Sequence, residues 1–264
     1  MLFNDEITEI KFLQDPYLLL STNSEILKIL NTETAQYELI LGHSDIVVAL
    51  DVHISEDYTV FISGAKDNTI RLWKITYSPL EVTCLAIYSG HTMNVTSISL
   101  DPKKGNYFVS VSLDKTLKKW GVHEHLDNGE EKEVNEAQCS QIAHEKGVNV
   151  VRVSPGENNK VIATGSHDRT IKIWKATDLE NVSTLKGHNR VIWDLSFSPV
   201  NRLLASCSAD QMIKIWNLAT STCVHTLEGH AFPVMRVGWI NEGLQLVSSS
   251  SDGSVAIWNI KKGV

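Results

Sequence analysis

The stretch HDRTIKIW, residues 167–174, places an Asp six residues before a Trp that ends a short alternating run. It has four siblings: KDNTIRLW (66–73), LDKTLKKW (113–120), ADQMIKIW (209–216) and SDGSVAIW (251–258). Asp67, Asp114, Asp168, Asp210 and Asp252 therefore lead Trp73, Trp120, Trp174, Trp216 and Trp258, and successive tryptophans lie 47, 54, 42 and 42 residues apart. A His stands 28 to 30 residues before each Trp: His43, His91, His144, His188 and His230. A hydroxyl residue stands four before each Asp: Ser63, Ser110, Thr164, Ser206 and Ser248. Four positions that keep phase through five copies mark an internal repeat, and a repeat must be read before any local signal.

Between these landmarks the period is two. The fourth, seventh and ninth residues after each His are apolar, as in Val47, Leu50 and Val52 or Ile192, Leu195 and Phe197. A step of three followed by a step of two predicts a bulged strand with one buried face. Each unit then reads as a first strand after the His, a second carrying Ser or Thr, a tight turn at Asp, a third ending at Trp, and a fourth leading to the next His. Four antiparallel strands in a period of this length make a propeller blade. A degenerate first copy fits the same frame: Ile7, Ile10 and Phe12 match the first strand, while Phe3, Leu20, Ser24 and Leu30 take the four landmark positions. Loss of the whole polar set is consistent, because a half-satisfied buried network costs more than an apolar one. The expected fold is all-β, one propeller domain with blades near 1–42, 43–90, 91–143, 144–187, 188–229 and 230–264. The last copy stops after its third strand, so the expectation is an incomplete seven-bladed ring, a fragment cut within its sixth blade.

These motifs resemble the WD-repeat family over nearly the whole chain. The namesake Trp-Asp dipeptide is missing from its usual place, and the one Trp-Asp, Trp193-Asp194, lies in a first strand. The resemblance implies that His, Ser/Thr, Asp and Trp form a buried hydrogen-bonded chain in each blade. The donor and acceptor count agrees: Trp only donates, the hydroxyl and neutral His do both, and Asp only accepts. A hydrolase reading of the Ser–His–Asp set is disfavoured, because a nucleophile is needed once, in an accessible cleft beside an oxyanion hole. No Gly-rich phosphate loop or HExxH is present, and the His123–His125 pair lacks further ligands at zinc spacing. No cofactor, metal or small-molecule substrate is expected.

The net charge of −7 argues against broad attraction to nucleic acid. Cys84, Cys139, Cys207 and Cys223 form no CxxC pair and read as reduced thiols. No apolar run approaches a membrane span, and the start lacks the features of a signal peptide.

Family resemblance also places three positions per blade on one exposed face: the third and fifth residues after His and the residue before the turn Asp. Among these, Leu113, Val191, Trp193, Pro233 and Met235 are apolar, and they are the expected protein-binding positions. The insertion GVHEHLDNGEEKEVNEAQCSQ (121–141) holds six acidic residues against one Lys between Glu124 and Glu136. It is expected between the third and fourth strands of its blade as a mobile, solvated loop.

Several segments, among them NDEITEIKFL, AHEKGVNVVRVSP and LKGHNRVIWDLSFSPVNRLLASCSADQMIKIW, are similar to a propeller of a nucleolar WD-repeat subfamily of the small-subunit processome. That resemblance implies a non-catalytic scaffold in 18S pre-rRNA processing. Its partners would be WD-repeat and helical-repeat proteins of the processome B subcomplex, with U3 snoRNA and pre-rRNA contacted indirectly and no membrane. Two alternatives stay open: a WD-repeat adaptor outside the nucleolus, and a propeller that binds RNA directly.

Overall fold

Among the described residues, six sheets built on antiparallel blade strands follow one another along the chain, as the repeat requires. The computed structural model describes residues 6–56, 58–122, 131–156 and 160–260. They belong to two compact units, Met1–Gln141 and Ile142–Val264, each with three sheets.

In the first unit, blade 1 is β1 (Ile7–Phe12), β2 (Tyr17–Thr22), β3 (Leu27–Asn31) and β4 (Tyr37–Ile40). Blade 2 is β5 (Val47–Ile54), β6 (Thr59–Ala65), β7 (Thr69–Tyr77) and β8 (Leu80–Ser89). Blade 3 is β9 (Val95–Leu100), β10 (Tyr107–Ser112) and β11 (Thr116–Gly121), then an excursion with β12 (Lys132–Val134), then β13 (Cys139–Ile142). In the second unit, blade 4 is β14 (Val148–Val153), β15 (Val161–Ser166), β16 (Thr170–Lys175) and β17 (Asn181–Lys186). Blade 5 is β18 (Ile192–Phe197), β19 (Leu203–Ser208), β20 (Ile213–Asn217) and β21 (Thr222–Leu227). Blade 6 is the three-stranded sheet β22 (Val234–Ile240), β23 (Gln245–Ser250) and β24 (Val255–Asn259). Strands of each blade pair in chain order, so the fold is all-β and built of propeller blades. Among the described residues no helix is long and apolar enough to cross a membrane.

The apolar core lies between successive blades rather than within one sheet. Leu19, Ile29, Val47, Leu50, Phe61 and Trp73 fill the space between blades 1 and 2. Val150, Ile171, Ile192, Leu195, Leu204 and Trp216 fill that between blades 4 and 5. A second strand is covered on both faces, which is why β6 and β19 are buried at every position and read as continuous runs rather than alternation. Close blade approach also limits residue size. A Cβ on Gly165 would stand 2.7 Å from Ile192 Cγ2 of the next blade.

The step of three in each first strand is a bulge. The register of β5 against β6 jumps between Val47 and Ala49, that of β14 between Val148 and Val150, that of β18 between Ile192 and Asp194, and that of β22 between Val234 and Arg236. The skipped residues are Val48, Asn149, Trp193 and Met235. A bulge re-aims the side chain of its extra residue, so the fifth position after each His leaves the pleat.

Two expectations are corrected. Ile7, Ile10 and Phe12 match the buried pattern of a first strand, yet they are 47%, 49% and 79% exposed. The pattern records the strand, whereas burial needs a neighbouring blade on that face, and no described residue of the unit covers it. The acidic insertion is also not wholly a solvated loop. Its β12 segment pairs in parallel with β8, matching Lys132 with Ala86, Glu133 with Ile87 and Val134 with Tyr88, and makes blade 2 five-stranded. Val134 and Ala137 pack on the core between blades 2 and 3. The open N–H and C=O groups along β8 are a template for such pairing. Glu131 lies 3.8 Å from Arg71. Burial, with Glu131 nearby, pushes the Cys84 thiol up to about 12.

Candidate functional site

The turn between second and third strands organises the polar chain of each blade. Its Asp is followed by a residue in the left-handed region: Asn68 (φ 67°), Lys115 (φ 72°), Arg169 (φ 70°), Gln211 (φ 71°) and Gly253 (φ 82°). This compact turn aims the Asp back at the His that starts the first strand.

In blade 2, Trp73 Nε1 donates to Ser63 Oγ at 2.8 Å. Ser63 Oγ lies 2.8 Å from His43 Nε2, and His43 Nδ1 lies 2.9 Å from Asp67 Oδ2. Because the Ser already accepts from Trp, its own proton points to Nε2, so Nδ1 carries the ring proton and donates to Asp. Blade 3 repeats the chain through Trp120, Ser110, His91 and Asp114 at 2.9, 2.7 and 2.8 Å. Blade 4 uses Trp174, Thr164, His144 and Asp168 at 2.9, 2.8 and 2.9 Å. Blade 5 uses Trp216, Ser206, His188 and Asp210 at 2.8, 2.7 and 2.8 Å. Blade 6 departs. Trp258 and His230 both reach Ser248, but His230 Nδ1 faces Ser254 Oγ at 3.3 Å and Asp252 is exposed.

A fifth member was missed by sequence reasoning. Thr69, Thr116 and Thr170, two residues after the Asp, donate to its Oδ1 at 2.7, 2.6 and 2.6 Å. The signal was the D-x-T inside three of the quoted octets; blade 5 has Met212 there. Burial alone would raise these carboxyls, but hydrogen bonds from His and Thr outweigh it and hold Asp67, Asp114 and Asp168 well below the usual range. Asp210 has no such threonine; burial raises it, His188 and backbone N–H groups lower it, and it settles at about 2.

The degenerate first blade replaces this chain by apolar contact. Leu20 is buried at the Ser position, and Ser24, at the Asp position, bonds Thr22 at 3.0 Å. Phe3 lies outside the described residues, as do His123 and His125.

At the His end of the second unit, residues that follow His188 and His230 form an apolar surface. Met235 is 37% exposed and Phe232, which sequence reasoning passed over, is 54% exposed. Val191 and Pro233 are half-buried. Trp193 is less available than expected. It packs on the core between blades 5 and 6 and meets His167 edge-on at 6.1 Å, with its Nε1 buried and without a hydrogen-bond partner among the described residues. In the first unit Leu113 is half-buried while Met93 is 48% exposed.

The WD domain, G-beta repeat family matches residues 35–74, 82–121, 137–175, 179–217 and 221–259, so each match runs from one blade's last strand to the Trp of the next. The chain belongs to the WD-repeat family. Transducin beta-like protein 3 of Bos taurus is 39% identical over 198 residues, 72% of this chain and 24% of that protein. U3 small nucleolar RNA-associated protein 13 of Saccharomyces cerevisiae is 34% identical over 192 residues, 68% of this chain and 23% of that protein. The ribosome biogenesis protein WDR12 homolog of Anopheles gambiae is 28% identical over 199 residues, 71% of this chain and 45% of that protein. The chain thus matches less than half the length of each of these relatives. The WD-repeat chain is related to ribosome biogenesis proteins at moderate identity, and its resemblance to the processome subfamily holds.

Proposed function

We propose that this WD-repeat chain is a non-catalytic scaffold in small-subunit ribosome biogenesis, working in the nucleolus within the processome that handles 18S pre-rRNA. The observation that carries this reading is the 34–39% identity, over about 70% of the chain, to proteins named for U3 small nucleolar RNA association and their transducin beta-like relatives. The partners are other WD-repeat and helical-repeat proteins of the B subcomplex, with U3 snoRNA and pre-rRNA reached through them.

The polar chains support a structural rather than a catalytic role. Ser63, Ser110, Thr164 and Ser206 are fully buried, and each hydroxyl oxygen already accepts from a Trp. A nucleophile needs an open approach and a free oxygen, and these have neither. The surface left for work is apolar, around Phe232, Pro233 and Met235, where a protein partner would find anchors.

Depletion of the protein, followed by pre-rRNA blotting and imaging of a tagged copy, tests the reading. Nucleolar signal with accumulation of unprocessed 18S precursors is expected. Normal precursor levels and a signal outside the nucleolus would favour an adaptor elsewhere. A steep loss of RNA affinity with salt for the purified chain would favour direct RNA binding.

A further inference from the structure

A cavity of about 310 Å³ opens between blades 4 and 5 at the end of the sheets away from the His and turn Asp. Its floor is Val161, Ile173, Phe197 and Leu218, side chains continuous with the core between those blades. Its rim carries two β-branched residues in water, Val182 at 54% and Val200 at 66% exposure. Isolated exposed apolar residues are ordinary, but two of them bordering an apolar cavity are a recognition feature.

The loop between β18 and β19, which forms one wall, is held in place from several sides. Ser198 Oγ accepts from the backbone of Asn201 at 3.2 Å and of Val200 at 3.4 Å. Leu218 N donates to Arg202 O at 3.0 Å. Behind the loop, a Cβ on Gly243 of blade 6 would stand 3.0 Å from Ser198 Oγ, so that blade braces it closely. A preformed wall reduces the ordering cost of binding.

Charge names the occupant. Arg202 lines the cavity, and its side chain has no partner among the described residues. Among the described residues no carboxylate lines the cavity, although the chain as a whole carries −7. The volume is that of a small binding pocket, apolar with few polar groups, and large enough for one or two apolar side chains.

We propose that this cavity is a second protein-docking site, which takes an apolar side chain of a partner peptide while a neighbouring carboxylate of that peptide pairs with Arg202. The site stands apart from the surface around Met235 and does not rest on the ribosome-biogenesis reading.

Selection of a random twelve-residue peptide display library on the purified chain tests it, with counter-selection on Val200→Asp. Val200 is exposed and its backbone bond to Ser198 is unaffected, so an unchanged thermal melt is expected for this variant. The expected result is enrichment of peptides with an apolar residue within two positions of Asp or Glu. Their affinity should fall at least about tenfold on Val200→Asp and on Arg202→Glu, and change about threefold or less on Arg202→Lys. Failure to enrich any peptide, enrichment of apolar peptides without an acid, equal binding to the variants, or concentration-dependent dimerisation through Val200 would each overturn the proposal.

Discussion

Asp194 Oδ1 lies 2.7 Å from the guanidinium of Arg152, one blade upstream, and its other oxygen accepts from the backbone N–H of Val237, one blade downstream, at 3.2 Å. One buried carboxylate therefore ties together the first strands of blades 4, 5 and 6. The first unit has a counterpart. Asp51 pairs with Lys11 of blade 1 at 3.0 Å and accepts from Leu100 N of blade 3 at 2.8 Å. Glu9 accepts from Leu50 N at 2.9 Å. Apolar packing between blades is non-directional; these bonds fix the register of neighbouring first strands.

Asp194→Ala should destabilise the protein by about 2–4 kcal/mol, because it strands a buried N–H and removes the anchor of Arg152. Urea unfolding of the purified chain measures this. A loss below about 0.5 kcal/mol would mean that packing alone holds the strands.

Asp168→Ala should cost about 1–3 kcal/mol by leaving His144 Nδ1 without its acceptor. His188, by contrast, is served by Asp210 of its own blade and should be unaffected. Ring proton shifts of the two histidines distinguish these outcomes.

Asp210 contributes to acid stability with a definite sign. Its folded-state pKa, about 2, is below the ordinary 3.8, so the unfolded chain binds the proton more readily. Its contribution is complete above pH 3.8 and is lost as pH falls toward 2. Asp210→Asn should flatten the fall in stability across that window, as read from urea midpoints at pH 5, 4, 3 and 2. An unchanged slope would refute the assignment.

Met212→Thr should stabilise the chain by about 0.5–1.5 kcal/mol, since it restores the hydroxyl that bonds the turn Asp in blades 2, 3 and 4. Differential scanning calorimetry reads the gain. No change in the melt would show that the hydroxyl adds nothing beyond what the His already supplies.

Much of the fold was legible because the repeat carries its own controls. The spacing of three and two after each His announced the bulges, and the Asp–Trp octets announced the third strands. The inter-blade carboxylates were not legible. Glu9 and Asp194 share the sixth position after the His landmark and Asp51 takes the eighth, but the other blades carry Ala49, Ser97, Val150 and Arg236 at the sixth, so the acids read as ordinary strand residues until a neighbouring blade is set beside them. The docked β12 strand was hidden by composition, since a three-residue pairing among glutamates carries no periodic signal. Trp193 was expected on the exposed face, but its burial depends on His167 and on blade 6, which the local pattern does not contain.

The most direct test of the scaffold account is recovery of partners by the tagged chain in its wild-type form and as the Phe232→Asp/Met235→Asp double variant. Both residues are exposed, so the variant should fold normally, with its melt within about 2 °C of wild type. The account predicts that the wild type co-purifies small-subunit processome proteins and that the variant loses most of them. Equal recovery by a well-folded variant, or the absence of processome proteins from the wild-type eluate, would contradict it.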